Sequence, residues 1–287
     1  MSETNAVPRV HRPSPAAFRR EFVAPRRPSV ITGVADRWPA MSLWDIGYFR
    51  RTLPDVEVRV EIWEREDSRN DPADYLKCVR RAPMPLGEFL DRLQTAGRES
   101  RSHYLAQYPI LKAAPRLMED IRPPAEYMEL PGYVPRALAR RMRLEPALWI
   151  GPAGAVTTLH FDSTHNLFVQ VSGRKKVVLV PPDQSELVYY PCREFGLNLH
   201  FSPVEVERPD RTRHPRFAQA KVREVIVQPG EILYIPANWW HYLRALEPSI
   251  SLNFWWNTPA TLWGPPRHLL FEWRERFRRL ASGRRPA

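Results

Sequence analysis

The feature that most constrains this chain is a series of short apolar segments in its second half, each ended by glycine or proline. Segments of this length, rich in Val, Ile, Leu and aromatic residues and bounded by turn residues, are typical of β-strands. No helical segment long enough for a crossover connection separates them, which favours antiparallel pairing in a barrel or jelly roll. We therefore predict a mainly β fold with flanking helices. The eight predicted strands are 147–150, 157–162, 166–171, 175–180, 222–227, 231–235, 241–246 and 249–256.

The rest of the chain is predicted to be organised around this barrel. Its 31 prolines are about twice the usual share, and they favour short helices and long connections. In the N-terminal part, 28–33 and 56–63 have strand patterns and 86–93 has the pattern of an amphipathic helix. Between two core strands, 183–220 forms a long insertion, and such insertions are often functional. The predicted divisions are a flexible tail (1–13), a mixed α/β extension packed on the core (14–100), the barrel (101–259) and a basic C-terminal helix (260–287, with its amphipathic part at 266–280).

Composition excludes several classes of protein. No apolar run approaches the roughly 18 residues of a membrane span. The N-terminal segment has no apolar block after its charges, so it does not resemble a secretory signal. Cys78 and Cys192 are too few for a disulfide framework and lack a metal-binding spacing. We expect a cytoplasmic protein with no membrane association.

The formal charge of +11 raises the question of a nucleic-acid partner. The basic residues are scattered except near the termini, and no nucleic-acid-binding motif accompanies them, so we expect a solvated basic surface instead. Only five of the 43 basic residues are lysines, and two of these are the adjacent Lys175 and Lys176. In a chain that uses arginine almost everywhere, this pair indicates a local need for a compact ammonium group.

The residues that carry chemistry are His160 and Asp162 in the predicted strand 157–162. Side chains two residues apart on a strand point to the same face, so this pair can offer an imidazole and a carboxylate to one ion. We predict His241 as the third ligand, on a strand that faces the first across the barrel. Two imidazoles and one carboxylate with open positions form the ligand set of iron(II) oxygenases. For the other histidines of this region we expect surface or hydrogen-bonded roles (His165, His200 and His214).

Several ordered motifs resemble the cupin-like JmjC-domain hydroxylases. They are WIGPAGAVTTLHFD (149–162), NLFVQVSGRK (166–175), PPDQ (181–184), PGEILYIPANWWH (229–241) and SLNFWW (251–256). Taken together, these motifs most resemble small arginyl hydroxylases that consist of a JmjC domain alone, and next the asparaginyl hydroxylase factor inhibiting HIF. The segment YLAQ (104–107) also resembles the arginyl hydroxylases. The resemblance covers about 100–257. Before residue 100 it rests only on PSVITG (28–33) and Trp38-Pro39.

The resemblance implies a double-stranded β-helix with iron(II) bound by His160, Asp162 and His241. It also implies 2-oxoglutarate as co-substrate with O2, and Lys175 as the partner of the distal carboxylate of 2-oxoglutarate. An ammonium inside a barrel needs such an anion to offset its desolvation. The sequence pattern alone leaves the choice between Lys175 and Lys176 open, because the preceding glycine makes the strand phase ambiguous. The remaining implied residues of the pocket are Thr157 and Tyr104, which hydrogen-bond the carboxylate, and Asn166 and Asn253, which line it.

The implied reaction is hydroxylation of an unactivated C–H bond, and N-demethylation would follow the same route. We expect the substrate to be a protein or peptide side chain. One alternative is a hydroxylase of a free amino acid or natural-product intermediate. An alternative of another class is a metal-binding cupin that acts as a scaffold or sensor without turnover; a basic nucleic-acid-binding module is a third, without a supporting motif.

We expect the insertion 183–220 to form one wall of a substrate groove at the mouth of the barrel. Two features depart from the relatives: this insertion, and His165, which stands where they often carry glutamine near the substrate. The aromatic residues of the insertion either line that groove or pack the insertion onto the barrel (Tyr189, Tyr190, Phe195, Phe201 and Phe217). Carboxylates for an arginyl substrate are candidates at Glu186, Glu194 and Asp210. Four tryptophans near the site are either core residues or a substrate platform (Trp239, Trp240, Trp255 and Trp256).

Overall fold

Two β-sheets form the body of the protein in a computed structural model that describes residues 6–63, 79–95, 102–128, 145–190, 200–258 and 261. The larger sheet has nine strands in the order β1-β2-β11-β8-β13-β6-β5-β3-β4, and the smaller has four in the order β10-β9-β12-β7. All described pairings are antiparallel except that of β1 with β2. The strands are β1 Arg9–His11, β2 Ser29–Thr32, β3 Glu57–Trp63, β4 Val79–Pro85, β5 His103–Tyr108, β6 Ala147–Gly151, β7 Val156–Phe161, β8 His165–Ser172, β9 Lys175–Val180, β10 Arg223–Val227, β11 Ile232–Ile235, β12 Trp240–Ala245 and β13 Ser249–Trp256.

Helices are short and lie mostly in the N-terminal half. The α-helices are α1 Pro15–Phe18, α2 Ala40–Leu43, α3 Ile46–Thr52, α4 Leu86–Gln94 and α5 Ile110–Ala113, and a π-helix at Arg19–Val23 follows α1. The 3-10 helices are Ala35–Arg37, Pro115–Glu119, Pro182–Gln184 and Pro215–Gln219. Among the described helices, none is long and apolar enough to span a membrane.

The mainly β fold class is confirmed, and the eight predicted strands correspond to β6–β13 with ends that differ by at most one residue. Their alternation and their turn residues were sufficient signals. Gly173, between β8 and β9, shows how strict such a turn can be: its φ is +69°, and a Cβ atom there would lie 2.3 Å from the carbonyl oxygen of Pro248. Only glycine adopts this conformation at such close approach without strain.

The N-terminal strands extend the large sheet rather than forming a separate layer. β2 pairs with β11, and β5 joins β6 to β3 and then β4. β4 carries Pro83 and Pro85, which suits its place at the edge of the sheet, since proline cannot donate a ladder hydrogen bond.

The prediction of a flexible tail at 1–13 is wrong for Arg9–His11, which form β1. They pair in parallel with β2, and Arg9 forms an ion pair with Glu231. A three-residue strand depends on the edge it pairs with, so it has no pattern of its own in the sequence. The predicted helix 266–280 lies outside the described residues.

Three groups of buried side chains fix the position of the site. One packs the N-terminal helices against the outer face of the large sheet, including Phe18, Trp38 and Phe254. A second lies between the two sheets at one end. The third packs part of the insertion, through Tyr190 and Phe217, onto the outer face of the small sheet. Part of the space between the sheets is therefore filled by apolar side chains, and another part forms a cavity lined by both sheets.

Candidate metal centre and co-substrate pocket

His160, Asp162 and His241 lie together at the cavity wall. Each offers one ligand atom, and these atoms all lie within 4.8 Å of one another. The Nε2 atom of His241 is 3.7 Å from Oδ2 of Asp162, and the two imidazole ring centres are 4.1 Å apart. Among the described residues, this is the one cluster of histidine, cysteine and acidic side chains with metal-binding geometry.

Hydrogen bonds set both imidazoles for metal binding. The Nδ1 atom of His160 lies 2.8 Å from the carbonyl oxygen of Thr158, and Nδ1 of His241 lies 2.9 Å from that of Trp239. A carbonyl only accepts, so each Nδ1 carries the proton and donates, which leaves the Nε2 lone pairs free for an ion. Burial, followed by the neighbouring His241, lowers the pKa of His160 to about 4, so its ring is neutral at pH 7.

The expectation that His241 faces His160 across the barrel is wrong. β12 is the immediate neighbour of β7 in the small sheet, and the two histidines are direct cross-strand partners. Directly opposed residues bring their Cβ atoms to about 5 Å, which explains how two strands hold both imidazoles so close together. Strand order is a tertiary property that the spacing of the histidines does not contain.

A bulge in β7 brings Thr157 onto the same wall. On β12, His241 lies opposite His160 of β7, and Leu243 lies opposite Thr157. The register of the two strands shifts between these pairs. Three residue steps along β7 therefore cover the same length of the ladder as two steps along β12, which is the geometry of a β-bulge. In a regular strand, Thr157 and His160 would point to opposite faces. Here both line the cavity.

Lys175 is a buried ammonium group on this cavity. It is 2% exposed, its Nζ donates to Oγ of Ser251 at 2.9 Å, and it lies 5.3 Å from the ring centre of Phe168. No carboxylate of the described residues forms an ion pair with it, and burial lowers its pKa to about 7. Lys176, by contrast, points outward and pairs with Glu207 and Glu224.

Tyr104, Thr157, Asn166 and Asn253 line the same cavity as Lys175. Tyr104 shares a side-chain hydrogen bond with Thr157, and burial raises the pKa of its hydroxyl well above the usual range, so it stays a neutral donor. The Oδ1 atoms of Asn166 and Asn253 are buried, and no hydrogen-bond partner for them lies in the described part of the chain. Buried polar atoms are rarely unsatisfied, which suits a pocket whose ligand completes them.

The cavity has a volume of about 310 Å³ and is lined by both sheets and by the insertion. Beyond the residues already named, Glu61 and Arg81 of the β3–β4 hairpin, together with His200 and Phe201 of the insertion, line it. Residues 200–202 run along the free edge of β7: Phe201 bridges to His160, and Ser202 N donates to the carbonyl of Leu159 at 2.9 Å. Part of the insertion thus forms a wall of the cavity.

Most aromatic residues of the insertion pack it onto the protein instead. Tyr190 and Phe217 are buried against the small sheet. Tyr189 stacks edge-on against His214 and lies under the guanidinium of Arg216. Phe201 is the member of this group that lines the cavity among the described residues, and Phe195 lies outside them.

Of the carboxylates suggested for an arginyl substrate, Glu186 and Asp210 do not line the cavity. Glu186 and Asp210 are exposed, and Asp210 accepts from the backbone N–H groups of Thr212 and Arg213; Glu194 lies outside the described residues. Among the described residues, Glu61 is the carboxylate that lines the cavity besides Asp162. Its strand alternates polar and apolar residues like any amphipathic strand, so the sequence gives no sign that this polar face turns inward at Glu61.

His165 is a core residue and not a substrate contact. Its Nδ1 accepts hydrogen bonds from the Tyr234 hydroxyl at 2.9 Å and from the Ala237 N–H at 3.3 Å, and its ring stacks on Trp256. It occupies the face of β8 opposite to Asn166, and it does not line the cavity. The departure from glutamine at this position therefore does not alter the cavity wall.

The four tryptophans divide between core and site. Trp239, Trp240 and Trp256 are buried in three different hydrophobic clusters. Trp255 lines the cavity, and its indole N–H donates to Oδ2 of Asp162 at 3.1 Å. It therefore positions the carboxylate, a role different from both the core and the platform roles expected from the sequence.

Comparison with known proteins agrees with this geometry. The model of the cupin-like domain family matches residues 15–262. The chain belongs to the cupin-like JmjC-domain family. It is 35% identical over 256 residues to lysine-specific demethylase 8 of Xenopus tropicalis, covering 89% of this chain and 54% of the relative. It is 34% identical over 264 residues to the protein of the same name in Danio rerio, covering 90% and 60%.

A human relative is similar over most of its own length. The bifunctional peptidase and (3S)-lysyl hydroxylase JMJD7 is 29% identical over 273 residues, covering 88% of this chain and 84% of the relative. This JmjC chain spans a little over half of the length of the demethylase relatives. These matches confirm the family resemblance found in the sequence. Members of the JmjC family are iron(II)- and 2-oxoglutarate-dependent oxygenases.

The residues present fit the groups that this family uses. Two imidazoles with free Nε2 atoms and one carboxylate match the ligand set of non-haem iron(II). A buried ammonium, neutral hydroxyls and unsatisfied amide oxygens on the same cavity suit a small dicarboxylate that brings its own negative charge.

Proposed function

We propose that the protein is an iron(II)- and 2-oxoglutarate-dependent hydroxylase that acts on an unactivated C–H bond of a polypeptide side chain. One observation carries the proposal: the His160, Asp162 and His241 cluster and the buried Lys175 line the same 310 Å³ cavity. A metal-binding scaffold has no use for a buried ammonium beside its ion. Lys175 is costly to bury, and a dicarboxylate co-substrate is what offsets that cost.

In this proposal each residue has a defined task. His160, Asp162 and His241 hold the metal, with Trp255 fixing the carboxylate of Asp162 by its hydrogen bond. Lys175 pairs with the distal carboxylate of 2-oxoglutarate, which Thr157 and Tyr104 hydrogen-bond, while Asn166 and Asn253 line the pocket. Iron(II), 2-oxoglutarate and O2 supply the oxidative chemistry when bound, with succinate and carbon dioxide as co-products.

The walls of the cavity support a polypeptide as substrate. The cavity opens to the surface, because three of the residues that line it are exposed: Arg81, Gln107 and His200. A side chain displayed on a larger molecule can therefore reach the metal while its backbone stays outside. The 2% exposed carboxylate of Glu61 favours a substrate side chain with a positive charge.

The test measures 2-oxoglutarate decarboxylation by the iron-loaded protein with peptides that contain lysine, arginine, asparagine or their N-methylated forms, and with the free amino acids. Turnover that rises with a peptide, and mass spectrometry that finds one added oxygen atom on it, supports the proposal. Loss of a methyl group instead identifies N-demethylation. Stimulation by a free amino acid alone favours the metabolite hydroxylase, and metal binding without any turnover favours the scaffold.

A further inference from the structure

Ser251 accepts a hydrogen bond from the buried ammonium group of Lys175. The Nζ atom lies 2.9 Å from Oγ of Ser251, and Ser251 is fully buried. Lys175 belongs to β9 of the small sheet and Ser251 to β13 of the large sheet, so this hydrogen bond spans the space between the sheets. Ser251 does not line the cavity itself. Any effect that it has on a bound co-substrate therefore passes through Lys175.

The other contacts of this ammonium group do not fix its position. Its Nζ atom lies 5.3 Å from the ring centre of Phe168 and 5.9 Å from that of Tyr104. A cation is attracted to the whole face of a ring, and a lysine side chain has a flexible four-carbon stem. A hydrogen bond, by contrast, depends steeply on distance and angle. Within the described part of the chain, Ser251 is therefore the contact that holds the ammonium at one point.

The strand β13 contacts both this ammonium group and the metal cluster. Ser251, Asn253 and Trp255 occupy alternate positions of β13, so they share its inner face. Ser251 binds Lys175, Asn253 lines the cavity, and Trp255 donates to the carboxylate of Asp162. Ser251 and Trp255 are four residues apart, which is about 13 Å along a strand. One rigid element thus orients a metal ligand and the co-substrate lysine at a fixed separation.

We propose that Ser251 is a positioning residue that selects the length of the co-substrate. It holds the ammonium of Lys175 at a set distance from the metal cluster, which β13 orients through Trp255. A 2-oxo acid at the metal then reaches the ammonium with its distal carboxylate only if its carbon chain matches that distance. When Ser251 is absent, the ammonium on its flexible stem follows the carboxylate of a longer acid, and the selection is lost.

This inference rests on the proposed function for the identity of the co-substrate, but it concerns binding and needs no turnover. Calorimetry measures the Kd of 2-oxoglutarate and that of 2-oxoadipate, which is one methylene group longer, for protein loaded with manganese(II). The titrations are done at pH 6, where the ammonium of Lys175 is charged because its pKa is about 7. A loss of charge on Lys175 would weaken both acids alike, so the ratio of the two Kd values reports the position of the ammonium.

The wild type should bind 2-oxoglutarate more tightly than 2-oxoadipate. Ser251→Ala should raise the Kd of 2-oxoglutarate by about three- to thirtyfold, the range for loss of a hydrogen bond to a charged group, and change that of 2-oxoadipate by less than about twofold. Ser251→Cys keeps the size of the side chain, and its sulfur is a weak acceptor, so it should behave like Ser251→Ala. Circular dichroism checks that both variants are folded.

The matched control is Ser249→Ala. Ser249 is a buried serine two residues earlier on β13 that neither contacts Lys175 nor lines the cavity. Its replacement removes the same atom from the same strand, and it should leave both Kd values unchanged. An effect as large as that of Ser251→Ala would overturn the inference, because general packing of β13 would then be responsible.

An equal rise of both Kd values in Ser251→Ala also overturns the inference, since Ser251 would then affect only the charge of the lysine. Equal affinity of the wild type for the two acids does the same. Decarboxylation assays with peptides on the same samples separate this inference from the proposed function. Length selection without peptide-stimulated turnover keeps the inference and removes the proposed function, and turnover without an effect of Ser251→Ala on the ratio does the reverse.

Discussion

Trp255 donates its indole N–H to Oδ2 of Asp162 at 3.1 Å, and the same oxygen lies 3.7 Å from Nε2 of His241. Trp255 belongs to β13 of the large sheet, whereas Asp162 directly follows β7 of the small sheet. The hydrogen bond therefore links the two sheets at the metal site. A carboxylate held in this way keeps its orientation toward the imidazoles before an ion arrives. Groups that orient metal ligands in this manner contribute substantially to affinity.

We predict that Trp255→Phe weakens metal binding by about 10- to 100-fold, because it removes this hydrogen bond but keeps an aromatic ring in the cavity wall. Calorimetric titration with manganese(II) or iron(II) under anaerobic conditions measures the change. Trp256→Phe is the matched control, since Trp256 lies on the other face of β13 against His165. It should lower stability and leave metal affinity unchanged. Equal metal affinities for the wild type and Trp255→Phe would remove the positioning role.

We predict that the protein binds one iron(II) per chain and that Asp162→Ala abolishes both this binding and 2-oxoglutarate turnover. Asp162 is partly exposed, so the variant should fold normally. Metal analysis and circular dichroism of the purified variant check the two halves of the prediction. Retention of full activity would show that the three ligands are misassigned.

Lys175→Ala should weaken 2-oxoglutarate binding by about 2 to 5 kcal/mol, the usual loss when one side of a buried charge pair is removed. Lys176→Ala is the control, because Lys176 faces outward and pairs with Glu207 and Glu224. Its effect on the Kd of 2-oxoglutarate should be small. Similar losses from the two variants contradict the assignment.

The affinity for 2-oxoglutarate should fall as pH rises above about 7. Burial lowers the pKa of Lys175 to about 7 in the free protein, and a bound carboxylate favours its charged form. Below pH 7 the ammonium is already present, whereas above it binding must take up a proton. The Kd should then rise by up to about tenfold per pH unit. A 2-oxo acid without the distal carboxylate serves as the control, and its affinity should lack this dependence.

His165 should make stability sensitive to acid. Burial lowers its pKa to about 3 in the folded protein, while in the unfolded chain it titrates near the usual 6.5. Between these values the unfolded state binds the extra proton, so the free energy of unfolding falls as pH falls from about 6.5 toward 3, by up to about 1.4 kcal/mol per unit.

The variant His165→Gln checks this, because glutamine can accept the same hydrogen bonds but does not titrate. Urea unfolding of both proteins at pH 7, 6 and 5 gives the difference. As pH falls, the free energy of unfolding of the wild type should decrease more than that of the variant. If the difference in free energy of unfolding between the two proteins is the same at all three pH values, His165 does not contribute to the acid sensitivity.

The sequence by itself determined the strands of the barrel and the composition of the metal cluster. Alternating apolar residues with glycine and proline at the ends define β6–β13, because burial of one face and tight turns both act over a few residues. The same local rule joins His160 to Asp162, two positions apart. His241 was predicted from its own segment but was placed on the wrong strand relative to His160, and the choice of Lys175 over Lys176 came from the family resemblance, since distance along the chain carries no geometric information.

Tertiary structure alone decided which strands are neighbours and which polar residues face the cavity. It made His241 the direct partner of His160, and a bulge in β7 turned Thr157 inward against the strand period. It gave Glu61, on an ordinary amphipathic strand, a place in the cavity because β5 and β6 connect β3 to the barrel sheet. Sheet order, register and bulges depend on contacts between distant segments, and a local pattern of residues does not encode them.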